Sequence, residues 1–328
     1  MIKITSIQDI YDWKKEDMAG IRRRIREAVA ETEANRELKK ILKETVSNTG
    51  KMIRPLVALL GAGSIPKESR EEILCAAAAG EMLHTSSLLL DDIIDGADTR
   101  RGSPSVQATY GVPVALCAGD YLMVTAFSYL SGKGYTVTAD DFIKTAMRVC
   151  DGEIIQDLNN KKTSVTESMY MDSIKGKTAA VFACCCRVAA RIAGRPAEIQ
   201  KTMAEYGETL GIIFQIRDDI LDWTQDENTL KKPVNEDFRN GTFTLPAIHA
   251  FSHEKYGSEL RGYADREELS AEDLLNIREI VRKAGGIEYA QSVLDGYIAK
   301  AEKLLESLPD DRYRISLRIL ARSLSKRG

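Results

Sequence analysis

An acidic pentad occurs twice in the chain. Asp91-Asp92-Ile93-Ile94-Asp95 is the first pentad and Asp218-Asp219-Ile220-Leu221-Asp222 is the second pentad. The outer aspartates of each pentad are four residues apart, so on a helix their carboxylates would lie on one face. Magnesium takes oxygen ligands and completes its shell with water and substrate phosphates. The spacing therefore predicts two carboxylate faces that hold magnesium around a diphosphate group.

A structural interpretation of the pentads is also open, in which they are solvated acidic helix ends that lysine and arginine neutralise. From Ile73 to Ile94, however, the chain is apolar on nearly every side of the expected helix, and the stretch around the second pentad is also apolar. A buried charge is costly unless it is paired, hydrogen-bonded or bound to a metal. Two pentads in apolar stretches therefore favour the metal interpretation.

Basic residues stand beside the pentads, at the ends of predicted elements. They are Lys51 and Arg54, Arg100 and Arg101, Lys177 with the neighbouring Thr178, and Lys231 and Lys232. Arginine binds phosphate oxygens with a planar fork, and lysine acts as a point charge. Any one of these residues could be an ordinary surface charge. Their shared position beside the pentads predicts contacts with diphosphates.

Helical periodicity predicts the elements that position these side chains. The predicted helices cover residues 16–48 (one helix or a pair), 51–63, 67–96, 113–131, 139–159, 166–194 with a break near Gly176, and 197–223. Residues 224–242 form the longest polar irregular segment, and weaker helices follow to the C terminus. We find no linker that divides the chain, so the sequence predicts one all-α domain over residues 1–328, built as a single large helical bundle.

Composition narrows the class of protein. The 328 residues are 44% hydrophobic, with 23 Gly and 8 Pro, which excludes global disorder and collagen-like or linker-rich chains. A net charge of −3 offers no general attraction to nucleic acid. The six cysteines form no C-x-x-C pair and are predicted to be buried, reduced thiols of a cytoplasmic protein. Neither an export signal nor a transmembrane segment is expected.

The sequence resembles the trans-polyprenyl diphosphate synthase family, whose fold is of the isoprenoid synthase type. The ordered series of matching motifs is highly specific and covers roughly residues 45–250. The motifs are Gly50-Lys51-Met52-Ile53-Arg54-Pro55, Glu81-Met82-Leu83-His84-Thr85-Ser86-Ser87-Leu88 leading into the first pentad, Arg100-Arg101-Gly102, Gly119-Asp120-Tyr121-Leu122, Lys177-Thr178-Ala179, Phe214-Gln215-Ile216-Arg217-Asp218-Asp219, and Thr244-Leu245-Pro246. The resemblance implies a helical bundle with a central cavity.

The resemblance also implies a reaction and its substrates. Isopentenyl diphosphate would be condensed with an allylic diphosphate, such as farnesyl or geranylgeranyl diphosphate, by ionisation, condensation and elimination. Two or three Mg²⁺ ions would be held by Asp91, Asp95, Asp218 and Asp222. The catalytic set would be Asp91, Asp92, Asp95, Arg100, Lys177, Asp218 and Asp219. No protein nucleophile is required, because the site supplies leaving-group electrostatics and positioning.

Two groups of binding residues follow from the same resemblance. The isopentenyl diphosphate would be bound by Lys51, Arg54, His84 and Arg101. The allylic diphosphate would be bound by Arg100, Lys177, Thr178, Gln215 and Lys232. Family members usually form dimers, so a homodimer is expected, with a heterodimer as the alternative.

Product length is expected to depend on Ser86 and Ser87, which precede Asp91 by five and four residues. The resemblance places a chain-length gate there, and short-chain members often carry an aromatic plug at these positions. Two serines would leave a tunnel open, which predicts a product of about six to eight isoprene units because close-packed interiors exclude a chain wherever they are filled. Alternatively, the serines simply let two helices approach closely.

Four other functions compete with this interpretation. A short-chain geranylgeranyl synthase and a class I terpene cyclase share the fold, and an interaction subunit of a heterodimeric synthase would share the sequence motifs. A di-iron carboxylate bundle is suggested by the Glu81-x-x-His84 spacing, although no second copy is present. His249 and His253 are four residues apart and could bind a transition metal, but ordinary helix residues are the more common case.

Overall fold

The computed structural model describes residues 4–224 and 235–325, and nearly all regular structure there is helical. The first helices are α1 (Ile7–Trp13), α2 (Lys15–Ala30), α3 (Arg36–Ser47), α4 (Ile53–Gly61) and α5 (Arg70–Ile94). A hairpin of β1 (Thr99–Arg100) and β2 (Ser103–Pro104) precedes α6 (Val106–Tyr110), α7 (Val112–Gly132) and α8 (Thr136–Leu158).

Further helices follow in the second half of the chain. They are α9 (Glu167–Ile174), a π-helical turn (Lys175–Ala179), α10 (Ala180–Ile192), α11 (Ala197–Thr224), α12 (Glu236–Arg239), α13 (Leu245–Phe251), α14 (Gly257–Ala264), α15 (Ala271–Lys283), α16 (Gly286–Leu305) and α17 (Arg312–Ser325).

The chain divides into two compact units. The first unit comprises Met1–Met147, Val181–Gly207 and Ser307–Leu317, and the second comprises Arg148–Ala180, Glu208–Glu306 and Arg318–Gly328. The first pentad lies in the first unit and the second pentad in the second unit. The single-domain organisation over residues 1–328 stays a prediction.

Helix α5 is the core of the first unit, where it packs against α2, α4 and α7. Glu71 and Glu72 in its first turn complement the helix dipole, and Gly96 follows its end with a positive φ of 63°. Its side chains from Ile73 to Leu83 are buried on every side. A Cβ atom on Gly80 would lie 2.6 Å from Cys185 Sγ, so glycine is required for α10 to approach this closely.

Aromatic side chains form the core beside the second pentad. Trp223, at the end of α11, packs edge-on against Phe238 at a centroid distance of 6.1 Å. Phe238 contacts Phe243 at 5.0 Å, and Phe243 contacts Phe251 on α13 at 4.9 Å. These rings anchor the helix turn that carries Asp222, the residue before Trp223.

The helices predicted over residues 16–223 are present with bounds that agree to within a few residues, whereas α1 and α6 were not predicted and α12 lies in the segment predicted to be irregular. The break expected near Gly176 is a π-helical turn, and the region 16–48 is a helix pair. The β1–β2 hairpin was not predicted. The prediction of buried cysteines is wrong for Cys117 and Cys150, which are exposed, because they face outward from α7 and α8.

Two helices, α5 and α7, are long and apolar enough to cross a membrane by length and composition. Helix α5 is mostly buried inside its unit, as a core helix of a globular protein is, whereas slightly less than half of α7 is buried. The expectation of no transmembrane segment is therefore supported for α5 by its packing. For α7 it stays a prediction.

Candidate active site

The first pentad forms the C-terminal end of α5, where the three aspartates differ in exposure. Asp95 is exposed, Asp91 is half-buried and Asp92 is buried. Arg100 on β1 donates from Nε to Asp92 Oδ1 at 2.6 Å and forms an ion pair through Nη2. Burial raises the pKa of Asp92, and the bonds from Arg100 oppose that rise. Gln107 donates to the backbone carbonyl of Asp92 at 2.5 Å, which fixes the helix end.

The second pentad forms the C-terminal end of α11 and shows a similar division. Asp218 is exposed, while Asp219 and Asp222 are buried. The Asp219 carboxylate accepts hydrogen bonds from Tyr170 Oη at 2.5 Å and from Gln215 Nε2 at 2.9 Å. Burial raises the pKa of Asp219 to about 7, against the lowering effect of these two donors.

The side chains of the pentads fit a hard divalent cation. They offer carboxylate oxygens, and exposed Asp95 has no hydrogen-bonding side-chain partner among the described residues. Within residues 4–224 and 235–325, no three acidic, histidine or cysteine side chains converge into a preformed metal cluster. Magnesium commonly takes one or two protein carboxylates and completes its shell with water and substrate phosphates. The donors therefore suit an ion that binds together with a diphosphate.

Arg54 on α4 is a buried cation in the first unit. It is 8% exposed, and its guanidinium carbon lies 4.6 Å from the centre of the Phe182 ring. Burial lowers the pKa of Arg54 and raises that of nearby Glu81, while the attraction between the two charges opposes both shifts. Desolvation and the charges of Arg54 and Arg101 hold the pKa of His84 well below its usual range.

Arg101 is held in an unusual conformation. Its φ is 52°, in the left-handed region, and its Nη1 donates to the carbonyl of Asn48. A Cβ atom on Gly50 would lie 2.9 Å from Arg101 Nη2, so glycine leaves room for this guanidinium. Arg100 and Arg101, together with Asp92, line a cavity of about 650 Å³ in the first unit. Lys51 is exposed just before α4, and neither it, Arg54 nor His84 lines that cavity.

In the second unit, hydrogen bonds link three of the predicted residues, Thr178, Gln215 and Asp219, and a fourth, Lys177, pairs with α8. Lys177, on the π-helical turn, forms an ion pair with Glu153 at 2.8 Å. Thr178 Oγ1 donates to Gln215 Oε1 at 2.8 Å, and Gln215 in turn bonds Asp219. Lys231 and Lys232 lie outside the described residues.

Ser86 and Ser87 occupy different environments. Ser86 is 1% exposed, and its hydroxyl donates 2.8 Å to the carbonyl of Gly119 on α7. A Cβ atom on Gly119 would lie 2.9 Å from Leu90 Cδ2, so the helices pack closely there. Ser87 is half-buried and bonds the carbonyl of His84 within its own helix. Ser86 therefore fits the interpretation of close helix approach, and Ser87 stands away from that contact.

Three residues of the site were missed from sequence. Tyr170, Glu153 and Gln107 bond Asp219, Lys177 and the first pentad respectively. None carries a spacing signal, because each meets its partner only through folding. The histidine alternatives find no support among the described residues: His249 stacks on Tyr289 at 4.2 Å, and His253 Nδ1 accepts backbone N–H groups.

Comparison with known proteins gives consistent matches. Residues 35–281 match the family model described as polyprenyl synthetase. The chain is 31% identical over 321 residues to heptaprenyl diphosphate synthase component 2 of Geobacillus stearothermophilus, covering 98% of this chain and 99% of that one.

Solved structures match as well. A polyprenyl synthase from Caulobacter crescentus CB15, complexed with calcium and isoprenyl diphosphate, superposes with a TM-score of 0.89, 26% identity and 99% coverage of both chains. Geranylgeranyl pyrophosphate synthetase from Pyrococcus horikoshii superposes with a TM-score of 0.88 and 31% identity, covering 98% of this chain and 99% of that one. These matches confirm the all-α fold of the isoprenoid synthase type.

Proposed function

This chain belongs to the polyprenyl synthetase family, and from that premise we propose that it condenses isopentenyl diphosphate head to tail with an allylic diphosphate. The enzyme is a prenyltransferase, and its proposed product is a long-chain all-trans polyprenyl diphosphate. One observation carries the proposal: each pentad lies at the C-terminal end of a long helix with many buried apolar side chains and offers at least one exposed carboxylate there.

Stabilisation of the leaving group is the proposed source of catalysis. Bound Mg²⁺ supplies positive charge at the departing diphosphate. Its proposed ligands are Asp91, Asp95, Asp218 and Asp222. The allylic C–O bond ionises, the isopentenyl double bond attacks the allylic cation, and the proton lost from the adduct passes to the released diphosphate. The chain holds the reactants and excludes water, and no side chain becomes covalently bound.

The proposed donors to isopentenyl diphosphate are Lys51, Arg54, His84 and Arg101. Among them, Arg54 is supported by its burial and by an Nε that has no hydrogen-bond partner among the described residues. A buried guanidinium with an unused donor favours an incoming anion. His84 would add a hydrogen bond.

The proposed donors to the allylic diphosphate are Arg100, Lys177, Thr178, Gln215 and Lys232. Thr178 has one O–H, which it donates to Gln215 without substrate and would turn towards the phosphate on binding. Arg100 and Lys177 already form ion pairs with Asp92 and Glu153. A guanidinium has five N–H groups and an ammonium three, so both can keep these partners and still donate to a phosphate. The ion pairs would then hold the cations in place before substrate binds.

A long-chain product is proposed from the small side chains above the pentad. The two relatives with 31% identity differ in product length according to their names, heptaprenyl in one and geranylgeranyl in the other. Overall similarity therefore does not decide length. Half-buried Ser87 fills little space one turn before Asp91, which supports an open path for a product of about six to eight isoprene units.

A cytoplasmic homodimer is the proposed working form. Helix α7 has one charged residue, Asp120, and it exposes Leu116 and Val124. Val137, Ile143 and Met147, in the first half of α8, are also exposed. A surface of this kind is typical of an interface between protein chains. A second copy of this chain is the proposed occupant, and the word "component" in the name of one relative makes a heterodimer the alternative.

One experiment tests the proposed reaction. The purified chain is incubated with Mg²⁺, isopentenyl diphosphate and each allylic starter in turn, and the products are separated by chromatography. Consumption of isopentenyl diphosphate and a long-chain product are expected. Turnover of the allylic diphosphate to a hydrocarbon without isopentenyl consumption would instead indicate a terpene cyclase. Activity only after a second protein is added would indicate a heterodimer.

A further inference from the structure

We propose that Tyr170 is a positioning residue of the diphosphate site, which acts by holding the Asp219 carboxylate and, through it, the side chains of Gln215 and Thr178. This inference rests on the proposed function. Tyr170 lies on α9, outside every motif of the sequence, and it is not among the proposed catalytic or substrate-binding residues.

The first step of the argument is the bond between Tyr170 and Asp219. The Tyr170 hydroxyl donates to Asp219 Oδ2 at 2.5 Å, and both side chains are buried. Because both groups are buried, water cannot replace this hydrogen bond when it is broken. Rotating Asp219 towards a bound cation would break this bond and leave a buried hydroxyl without a partner. The tyrosine therefore fixes the direction in which Asp219 points.

The second step is the chain of bonds that continues from Asp219. Its other oxygen, Oδ1, accepts from Gln215 Nε2 at 2.9 Å. Gln215 Oε1 accepts from Thr178 Oγ1 at 2.8 Å. Each bond decides the orientation of the next group, so the Gln215 amide has one allowed direction. Side chains from α9, α11 and the π-helical turn are thereby held in one network.

The third step is a comparison with the first pentad, considered within its own unit. There the corresponding residue, Asp92, is also bonded to a protein donor, Arg100. In both pentads the second aspartate is engaged by a protein donor, and the exposed carboxylates are Asp95 and Asp218. Asp219 is not a proposed metal ligand, so Tyr170 would act on the metal indirectly, by holding Gln215, which has a second amide N–H to offer the diphosphate that completes the shell of the ion. Outer partners of a metal site typically change metal affinity by about 10- to 100-fold when they are removed.

The test measures metal binding by the full chain without turnover. Mn²⁺ replaces Mg²⁺ and inorganic diphosphate replaces the substrate, and the free-ion signal in electron paramagnetic resonance gives the bound fraction. Tyr170→Phe should weaken Mn²⁺ binding in the presence of diphosphate by about tenfold or more. An affinity within twofold of the wild type would overturn the inference.

Tyr206→Phe is the matched control. Tyr206 is also buried, and its hydroxyl donates to the carbonyl of Leu317 at 2.7 Å, so the same atom is removed from a comparable core position. Both variants lose a buried hydrogen bond and should unfold at similarly lowered temperatures. Only Tyr170→Phe should lose Mn²⁺ affinity. An equal loss of affinity in both variants would reduce Tyr170 to a structural role and overturn the inference.

A double-mutant cycle tests whether Tyr170 acts through Asp219. Asp219→Asn alone should weaken Mn²⁺ binding. Adding Tyr170→Phe to that variant should lower the Mn²⁺ affinity by less than a further twofold. An undiminished tenfold loss in the Asp219→Asn background would contradict the proposed route. If Tyr170→Phe does not fold, the Mn²⁺ affinity of Asp219→Asn is the test. An unchanged affinity in that variant would show that Asp219 does not support the diphosphate site and would overturn the inference. A wild-type chain that binds no Mn²⁺ with diphosphate contradicts the proposed function itself.

Discussion

Each pentad contains aspartates in different environments, although their residue type is the same. Asp92 and Asp219 are buried and accept bonds from protein donors, whereas Asp95 and Asp218 are exposed. A carboxylate that already accepts strong hydrogen bonds has fewer lone pairs left for a cation. By their exposure, Asp95 and Asp218 are the more accessible of the proposed metal ligands.

Replacing Asp91 or Asp218 by asparagine should lower kcat by roughly a hundredfold or more, on the scale of losing a key electrostatic stabiliser. Steady-state kinetics at saturating Mg²⁺ would measure this decrease in kcat. Asp140→Asn is the control, because exposed Asp140 pairs with Lys144 one turn along α8. Near-normal kcat in both pentad variants would defeat the metal interpretation.

Replacing Ser87 should shorten the product with less loss of stability than replacing Ser86. Ser87→Phe should shorten the product without abolishing turnover, because the ring would occupy the space that the growing chain needs. Ser86→Phe should also shorten it, as the sequence predicts, but at a lowered melting temperature, since the ring must enter the contact with α7. Product chromatography and thermal unfolding separate these effects. An unchanged product distribution in both variants would remove the gate assignment.

At the scale of elements, the contact between α8 and the π-helical turn positions Lys177. A Cβ atom on Gly152 would lie 2.3 Å from the backbone nitrogen of Lys177 and 2.7 Å from the carbonyl carbon of Gly176. The two segments therefore meet backbone to backbone. This approach also brings Glu153, the next residue of α8, to the Lys177 ammonium.

Gly152→Ala should lower both the melting temperature and kcat, because the added methyl group displaces the turn that carries Lys177. Gly262→Ala is the matched control in the same unit. Gly262 lies inside α14 with open space around it, so alanine there should raise stability by about 0.5–1 kcal/mol. Thermal unfolding and steady-state kinetics measure both variants. Equal changes of melting temperature and kcat in Gly152→Ala and Gly262→Ala would contradict the proposed close contact between α8 and the π-helical turn.

The junction of α1 and α2 buries a lysine whose protonation should be visible in stability. Lys14 is 5% exposed, lies 3.7 Å from Asp17 and sits 4.3 Å from the centre of the Trp13 ring. Burial lowers the pKa of Lys14 to about 8, against 10.5 for an ordinary lysine. Between these values the unfolded chain binds a proton that the folded chain lacks, so this group raises the free energy of unfolding as pH increases.

Lys14→Met should remove that pH dependence. The free energy of unfolding of the wild type minus that of the variant should increase from about pH 8 to about pH 10.5 and be constant below pH 8. Denaturant titrations at several pH values measure the difference. Because other groups titrate in both proteins, only the difference is informative. A difference independent of pH would contradict the lowered pKa.

At the scale of the whole molecule, the exposed apolar side chains of α7 and α8 decide the expected assembly. Val124 is 59% exposed in the middle of a helix that contains one charged residue. Val124→Glu should convert the proposed dimer into a monomer, because a buried unpaired carboxylate is costly at an interface. Leu275→Glu on α15 is the control, since that leucine is 65% exposed elsewhere. Light scattering after size-exclusion chromatography measures the mass, and a wild-type monomer would contradict the proposal.

The sequence alone determined the long helices, the buried position of α5 and the place of each pentad at a helix end. These features depend on residues three to four apart, and that spacing is preserved wherever the helix lies in the fold. The same local pattern predicted the break near Gly176. The motif series was equally local, which is why the family could be inferred before any contact was known.

Only the tertiary structure decided which partner each buried polar group takes. Tyr170 and Asp219 are 49 residues apart, and Lys177 and Glu153 are 24 apart, so no periodicity relates them. Burial requires that such groups be bonded, but it does not say to what. The same holds for Ser86, whose contact with Gly119 on α7 depends on how two helices pack. Local pattern sets the faces of the helices, and packing alone sets what each face meets.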